Sequence, residues 1–270
     1  MRRAPAAAKI NLALVVGPQR PDGRHELLTV YQRVGLADRL VVSRSAELRV
    51  DGFAADTLVR RALERIGDRN GSSFSVRIVK RIPVAAGLGG GSSDAATALR
   101  LANELRDAPL PDKELAAVAR ELGADVPYFL HDGPQLGKAD GTELEPLDLP
   151  QDYWVVLVTP RGVTKRSTSE VYEAFDATGG EEGFDARRDA LLAGLARVRR
   201  PRDLAALPPN DLATSPLAAD LRALGAFRAD ATGAGPTVYG LFLHGEQARA
   251  AQRAMAKNGR SWLTVPAWYR

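Results

Sequence analysis

The run of glycine and serine inside PVAAGLGGGSSDAATALRL, residues 83–101, constrains this chain more than any other segment. Glycine adopts positive φ without steric penalty, so such a run can turn several backbone N–H groups toward one anion. Small residues with helical spacing follow, and the start of a helix adds unpaired N–H donors and the positive end of its dipole. The segment therefore predicts a phosphate-binding loop that leads into a helix.

We expect Ser92 or Ser93 to cap this helix. Its apolar face is then formed by Ala95, Ala98, Leu99, Ala102 and Leu105. Two familiar phosphate loops are excluded, because no lysine follows the last glycine as in GxxxxGK[ST], and because Ser92 stands where GxGxxG requires its third glycine. A flexible Gly/Ser loop before an ordinary helix remains the alternative, since a glycine-rich loop by itself is a weak signal.

The composition is that of a globular protein with one large domain or two moderate ones: 270 residues, 45% hydrophobic and 26% charged. The absence of cysteine excludes disulfides, thiolate metal sites and cysteine nucleophiles. No apolar run approaches the ~20 residues of a membrane span. Lys9 and Asn11 interrupt the apolar stretch that a signal peptide would need after Arg2 and Arg3. We therefore expect a soluble, cytoplasmic protein without a membrane partner.

The net charge of +4 is a modest basic excess, and apart from a short arginine cluster at 197–202 the basic residues are scattered. Such an excess permits nucleic-acid binding without requiring it, and an enzyme that handles polyphosphates has the same bias. Aromatic residues make up 6% of the chain and are dispersed, unlike the stacking platforms of nucleic-acid-binding proteins. We expect a small-molecule partner, no nucleic acid, and a monomer or homodimer.

The order of elements predicts an α+β protein with two lobes, because strands and helices alternate without the regular βαβ period of a doubly wound sheet. We expect strands at 10–16, 40–50 (one or two), 74–80, 154–158, 237–243 and 262–265. Helices are expected at 56–66, 112–122, 167–175, 185–200, 216–224 and 246–256. The domain boundary is expected between residues 150 and 183, which gives domains 1–152 and 153–270.

Four ordered sequence boxes resemble one family. They are AKINL at residues 8–12, DGRHE at 22–26, GLGGGSSDAA at 87–96 and GADVP at 123–127, and DATGAGPTVYGLF follows near the C-terminus. Together they are similar to the GHMP kinase superfamily, which includes galactokinases and homoserine, mevalonate and phosphomevalonate kinases. Within it, the chain most resembles the 4-diphosphocytidyl-2-C-methylerythritol kinases of the non-mevalonate isoprenoid pathway.

The resemblance implies a fold and a reaction. The implied fold has an N-terminal domain like one of a small-subunit ribosomal protein and a C-terminal ferredoxin-like domain, with the active site between them. The implied reaction transfers the ATP γ-phosphate to the 2-hydroxyl of the erythritol unit of a cytidine diphosphate substrate. Mg²⁺ is expected because ATP carries it, although no carboxylate cluster in the sequence indicates a direct ligand.

The resemblance also implies a catalytic pair, Lys9 in AKIN and Asp125 in GADVP. Asp125 would accept or orient the proton of the attacking hydroxyl, and Lys9 would stabilise charge on the transferring phosphoryl group. Taken alone, Asp125 could cap a helix that starts at Pro127, and Lys9 could be a surface lysine. The asparagine at position 11 argues against Lys9 being an ordinary surface lysine of a strand, since asparagine is a poor strand former.

The resemblance implies that two glycine-rich segments bind phosphate groups. The ATP site would be formed by Pro83, Gly87, Gly89, Gly90, Gly91, Ser92 and Ser93, with Asp94 holding the loop in place. The second segment would close over the phosphates or the transferred group with Thr232, Gly233, Ala234 and Gly235. For this second segment, a simple hairpin turn between strands is an equally reasonable interpretation.

The pocket for the cytidine diphosphate would include Asn11 and His25, with Tyr172 stacked on the cytosine. Tyr172 is otherwise a core aromatic of its helix, and the two interpretations are evenly matched. Tyr31 falls at another position that is commonly aromatic in this family.

Two residues depart from the family pattern. Arg24 replaces a tyrosine or phenylalanine, and Thr57 replaces an asparagine near the adenine. A guanidinium can stack on a base and pair with a diphosphate, so we assign Arg24 to the substrate pocket.

Two other functions remain as alternatives. A homoserine- or mevalonate-type kinase usually has a shorter loop that resembles GLGSSAA and lacks this GADVP box. A catalytically silent relative used in regulation or RNA binding is the second alternative, since a fold does not determine a function. The presence of both Lys9 and Asp125 argues against the silent relative.

Overall fold

Two β-sheets with helices packed against them form the two halves of the molecule. The computed structural model describes residues 1–53, 57–67, 73–163 and 167–267. Its strands are β1 (Arg2–Gln19), β2 (His25–Ser45), β3 (Arg49–Asp51), β4 (Ser73–Val79), β5 (Gln135–Lys138), β6 (Glu143–Pro146), β7 (Trp154–Pro160), β8 (Arg228–Ala231), β9 (Val238–Phe242) and β10 (Gly259–Thr264). Its α-helices are α1 (Thr57–Ile66), α2 (Gly90–Asn103), α3 (Asp112–Leu122), α4 (Thr168–Ala177), α5 (Phe184–Arg197), α6 (Pro216–Ala223) and α7 (Gly245–Met255).

The N-terminal sheet is built around the long strand β2. One edge of β2 pairs with β1 in antiparallel register, and the other edge pairs with β4 and β5. Strand β3 lies parallel to β4, and β6 completes the sheet beside β5. Helix α2 packs on β1 and β2, and its many alanines allow this close approach because they are small. Helix α1 packs against α2 and also contacts β3 and β4 of the same sheet.

The C-terminal sheet has the strand order β10-β7-β9-β8, and all its pairs are antiparallel. The chain runs from β7 through helices to the β8–β9 hairpin, and then through α7 to β10. This βαββαβ pattern is that of a ferredoxin-like domain. The α+β, two-lobe prediction is confirmed.

One hydrophobic core joins the two sheets. Ile10 and Leu12 of β1 are fully buried in the same cluster as Leu157 of β7 and Leu241 of β9. The Tyr239 hydroxyl donates across this core to the carbonyl of Leu12 at 3.2 Å. Because apolar side chains from both sheets share this cluster, each sheet depends on the other for the burial of its inner face. A domain boundary at residue 152 remains a prediction.

The predicted elements are present, with shifted ends. Strand β1 is much longer than the predicted 10–16, and the segment 40–50 divides between β2 and β3. Helix α1 is observed from Thr57, and Asp56, its predicted first residue, lies outside the described residues. Strands β5, β6 and β8 were not predicted, because each has only four residues and depends on pairing with distant strands.

Within the described parts of the chain, no helix combines the length and the apolar character that crossing a membrane requires.

Candidate active site

A cavity of about 800 Å³ opens between the glycine loop, the paired strands β1 and β2, helix α4 and the β8–β9 turn. Polar and charged side chains on its wall include Lys9, Asn11, Arg24, His25, Lys80, Ser92, Asp125, Asp140, Tyr172 and Asp176. Of the glycine loop, Pro83, Gly87, Gly89, Gly90, Gly91 and Ser92 lie on the wall. The structure therefore brings the loop, both members of the predicted pair and most of the predicted pocket residues to one place.

The glycine loop passes into α2 through Gly89, which has φ of +68° and occupies the capping position. A side chain at Gly89 would approach the Cγ of Lys9 to 2.9 Å, so the position requires glycine for space as well as for backbone conformation. The predicted cap at Ser92 or Ser93 is wrong, since the helix begins at Gly90 and has no side-chain cap. Its first intrahelical hydrogen bond is donated by Ser93 to Gly89, which leaves the preceding N–H groups without helical acceptors.

Lys9 and Asp125 form an ion pair on the cavity wall, with 3.4 Å between Nζ and Oδ2. Lys9 is only 4% exposed, so it is not a surface lysine. Asp125 precedes a 3-10 turn at Pro127–Leu130, where Val126 is the capping residue, so the capping interpretation of Asp125 is wrong. With 32% of its side chain exposed, the carboxylate can be reached by a molecule in the cavity.

Tyr31 holds Asp125 from the other side. Its hydroxyl donates to Oδ1 of Asp125 at 3.2 Å, and its ring stacks on Tyr128. Burial, and after it the charge of Asp125, raises the pKa of Tyr31 well above its usual value, so the hydroxyl keeps its proton and donates. The β1–β2 register places Tyr31 directly opposite Asn11, which explains why both side chains reach the same site.

The second glycine-rich segment is the turn between β8 and β9, and it packs against the glycine loop. Gly233 and Ala234 lie on the cavity wall, whereas Thr232 and Gly235 do not. A side chain at Gly87, where φ is +78°, would overlap the carbonyl oxygen of Thr232. Thr232 is fully buried, and its hydroxyl accepts from the backbone N–H of Asn11 at 3.0 Å. The segment is therefore a hairpin turn that also faces the cavity with two of its residues.

Ser93 and Asp94 lie behind the loop and not on the cavity wall. Asp94 is fully buried and pairs with the ammonium of Lys80 at 2.7 Å, while the same ammonium pairs with the buried Asp38 at 2.5 Å. Asp38 also accepts from the backbone N–H of Ile82 at 2.9 Å. This ion triad connects the residue before the loop to the helix after it. That Asp94 holds an ATP-binding loop in place remains a prediction. Our sequence reasoning did not single out Lys80, although its place between a strand and the loop is a usable signal.

His25, the first residue of β2, lies on the cavity wall and contacts helix α4. Its ring stacks on Tyr172 with centroids 4.7 Å apart, and its Nε2 lies 2.8 Å from Oδ1 of Asp176. Burial raises the pKa of Tyr172 to about 12, with a smaller contribution from the charge of Asp125. Tyr172 packs against a small apolar cluster and also lines the cavity, so both predicted interpretations of this residue describe part of its environment.

Arg24 lies at the mouth of the cavity and forms an ion pair with Asp140. Burial by itself raises the pKa of Asp140, but hydrogen bonds from Thr142 and Arg24 outweigh burial and place this pKa below its usual value. Thr57 is exposed and not on the wall, whereas its neighbour Leu58 is. Asp140 and Asp176 were not predicted as site residues, because only the tertiary fold brings them to the cavity.

The described residues contain no group of three or more histidine or carboxylate side chains that could hold a metal ion. The Ser92 hydroxyl at the start of α2 is the polar group on the loop part of the wall.

Family comparisons match both halves of the chain. Residues 57–133 match the model of the GHMP kinases N terminal domain, and residues 213–261 match that of the GHMP kinases C terminal domain. A 4-diphosphocytidyl-2-C-methyl-D-erythritol kinase of Anaeromyxobacter sp. (strain Fw109-5) is 39% identical, covering 93% of this chain and 86% of the relative. The enzyme of the same name from Pelobacter propionicus is 38% identical, covering 97% of this chain and 96% of the relative.

Solved structures agree with these relatives. A crystal structure of 4-(cytidine 5'-diphospho)-2C-methyl-D-erythritol kinase matches with a TM-score of 0.81 and 32% identity, over 98% of this chain and 99% of that one. A mevalonate kinase matches with a TM-score of 0.72 at 13% identity, over 98% of this chain and 99% of that one, and this likeness concerns the fold alone.

Proposed function

This chain belongs to the GHMP kinase family, among its 4-diphosphocytidyl-2-C-methyl-D-erythritol kinases, and from that membership we propose the reaction it catalyses. It transfers the γ-phosphate of ATP to the 2-hydroxyl of 4-diphosphocytidyl-2-C-methyl-D-erythritol, a step in isoprenoid precursor synthesis. The observation that carries the proposal is the Lys9–Asp125 pair, which lies in one cavity with the glycine loop at the start of α2.

The pair supplies what phosphoryl transfer requires, namely positioning and charge stabilisation. The substrate hydroxyl oxygen forms a bond to the γ-phosphorus while the bond from that phosphorus to the leaving oxygen of ADP breaks. Asp125 accepts the hydroxyl proton, and Lys9 stabilises the negative charge on the transferring group. Tyr31 supports this role because its hydroxyl orients the Asp125 carboxylate.

We propose that ATP binds with its phosphates at the loop, where the unpaired N–H groups of the first turn of α2 and the helix dipole favour negative charge. Mg²⁺ is proposed to enter with ATP and to neutralise charge on the phosphates when bound, with Ser92 as the candidate protein ligand. The cytidine diphosphate end is placed near His25, Tyr172 and Arg24, where an aromatic surface and a cation adjoin. We further propose that the enzyme acts in the cytoplasm on this small molecule alone, without nucleic acid or membrane, as a monomer or homodimer.

The test is ATP consumption by the purified protein with Mg²⁺, with 4-diphosphocytidyl-2-C-methyl-D-erythritol, mevalonate and homoserine offered in parallel. Turnover with the cytidyl compound alone is the expected result. Turnover with another alcohol would keep the kinase and overturn the pocket assignment. If a folded protein bound ATP but consumed none with any of the three, the proposed catalysis would be wrong and the silent relative would be favoured.

A further inference from the structure

A directional chain of hydrogen bonds ends at the catalytic lysine. The carbonyl of Ala13 can only accept, so the Thr29 hydroxyl that lies 2.8 Å away donates to it. The Thr29 oxygen must then accept, and it does so from Nδ2 of Asn11 at 2.8 Å. This bond assigns the nitrogen and the oxygen of the Asn11 side-chain amide. Its Oδ1 then lies 2.8 Å from Nζ of Lys9 and accepts a hydrogen bond from it. The polarity of each bond therefore follows from the one before it.

Asn11 also forms hydrogen bonds with Thr232, which follows β8 of the C-terminal sheet. The Thr232 hydroxyl accepts from the Asn11 backbone N–H at 3.0 Å and lies 3.3 Å from Asn11 Oδ1, to which it donates. Thr232, Thr29 and Asn11 are all buried, so water does not compete for these bonds. Thr232 is not on the cavity wall, so its hydroxyl acts on the site only through Asn11.

We propose that Thr29 and Thr232 are positioning residues that hold the Lys9 ammonium in its reactive place through Asn11. The ion pair with Asp125 alone leaves Nζ free to move along the carboxylate, whereas a second acceptor at 2.8 Å on the buried side restricts it. The C-terminal lobe thereby sets the position of a catalytic group in the N-terminal lobe. This inference rests on the proposed function for the catalytic role of Lys9, but the positions of the groups do not.

The test compares Thr232→Val with Thr237→Val. Both threonines are fully buried at the β8–β9 turn, but the Thr237 hydroxyl pairs with Thr159 at 2.7 Å and does not touch Asn11. The first measurement is the rate of reductive methylation of Lys9, read by mass spectrometry against the exposed Lys113 and Lys257 without any substrate. We expect a faster rate in Thr232→Val and in Thr29→Val, and the wild-type rate in Thr237→Val.

The second measurement separates kcat from KM. We expect kcat to fall about tenfold in Thr232→Val with KM values near those of the wild type, because both buried hydrogen bonds of the Thr232 hydroxyl to Asn11 are lost away from the ligands. Thr232→Ser keeps the hydroxyl and is expected to recover most of the turnover. Equal methylation of Lys9 in the wild type, Thr232→Val and Thr29→Val would overturn the positioning role. A wild type that phosphorylates nothing would instead refute the proposed function, while the methylation rates would still decide the positioning.

Discussion

At the scale of single residues, the proposed mechanism gives proton handling to Asp125 and charge stabilisation to Lys9. Asp125 has a partly open carboxylate with one donor on each side, Tyr31 and Lys9. The two donors contact one carboxylate oxygen each, which fixes the orientation of the group. A carboxylate within reach of a substrate hydroxyl can serve as a general base.

Replacing Asp125 with asparagine tests this role. The amide keeps the size of the side chain but cannot take a proton, so we expect turnover to fall ~10²-fold or more with little change in ATP affinity. Steady-state kinetics and calorimetric ATP binding measure the two quantities. Asp148→Asn makes the same chemical change at an exposed position off the cavity wall and serves as the control. Near-normal turnover in Asp125→Asn would remove Asp125 from the mechanism.

Arg24 is the residue by which this chain departs from its family pattern at the cavity mouth. We expect Arg24→Ala to raise KM for the cytidyl substrate about 3- to 30-fold with kcat little changed, as for lost stacking or ion-pair binding outside the reacting centre. Arg20→Ala is the matched control, because Arg20 is on the same turn, pairs with Glu26 at 3.0 Å and does not line the cavity. If both variants kept the wild-type KM, Arg24 would have no part in substrate binding.

At the scale of elements, the position of the glycine loop depends on the buried Lys80 bridge between Asp38 and Asp94. Lys80→Met leaves two buried carboxylates without their cation. We therefore expect the free energy of unfolding to fall by about 3–5 kcal/mol. Urea denaturation measures this loss. Lys138→Met removes an exposed ion pair with Glu145 and is expected to cost less than about 1 kcal/mol. Equal losses in the two variants would contradict a special role for the bridge.

The stability that the Lys80 bridge contributes depends on pH, and the direction of this dependence follows from the pKa of Lys80. Burial alone lowers the pKa of Lys80, but the charge of Asp94 and the bonds to both carboxylates outweigh burial and raise this pKa above its usual value. A raised pKa in the folded state means that the ammonium stabilises fully below the unfolded-state pKa of about 10.4, and that this stabilisation is lost as pH rises through the folded-state value. The stability difference between wild type and Lys80→Met should therefore be larger at about pH 8 than at about pH 11.

Local sequence patterns were sufficient to predict the elements whose turn residues and apolar spacing are contained within a few neighbouring positions. The glycine loop, the strand before it and α3 with its closing Gly123 were found because turn residues and apolar spacing act over a few positions. The cap of α2 was misassigned, because capping preferences favour serine while tertiary packing against Lys9 places glycine there. The bond between Asn11 and Thr232 joins residues 221 positions apart, and no local pattern reports such a contact.

At the scale of the whole molecule, the two sheets share buried side chains and backbone contacts. Asp211, from the segment before α6, donates its backbone N–H to Leu14 of β1 at 2.9 Å and accepts from the N–H of Val16 at 2.9 Å. The glycine loop is joined to the β8–β9 turn by a hydrogen bond from the backbone N–H of Thr237 to the carbonyl of Ala86 at 3.3 Å. The active-site cavity therefore lies where the contacts between the halves are continuous.

This continuity predicts that the two halves unfold together. All three tryptophans belong to residues 154–268, so their fluorescence follows the C-terminal half, whereas far-UV circular dichroism follows both. We expect the two signals to give one coincident urea transition, as for a single cooperative unit. The fragment 1–152, expressed alone, should fail to fold, because Ile10, Leu12 and Val15 would lose the apolar partners that bury them. Two separate transitions, or a folded fragment, would mean that each lobe is stable on its own and that the shared core adds little to either.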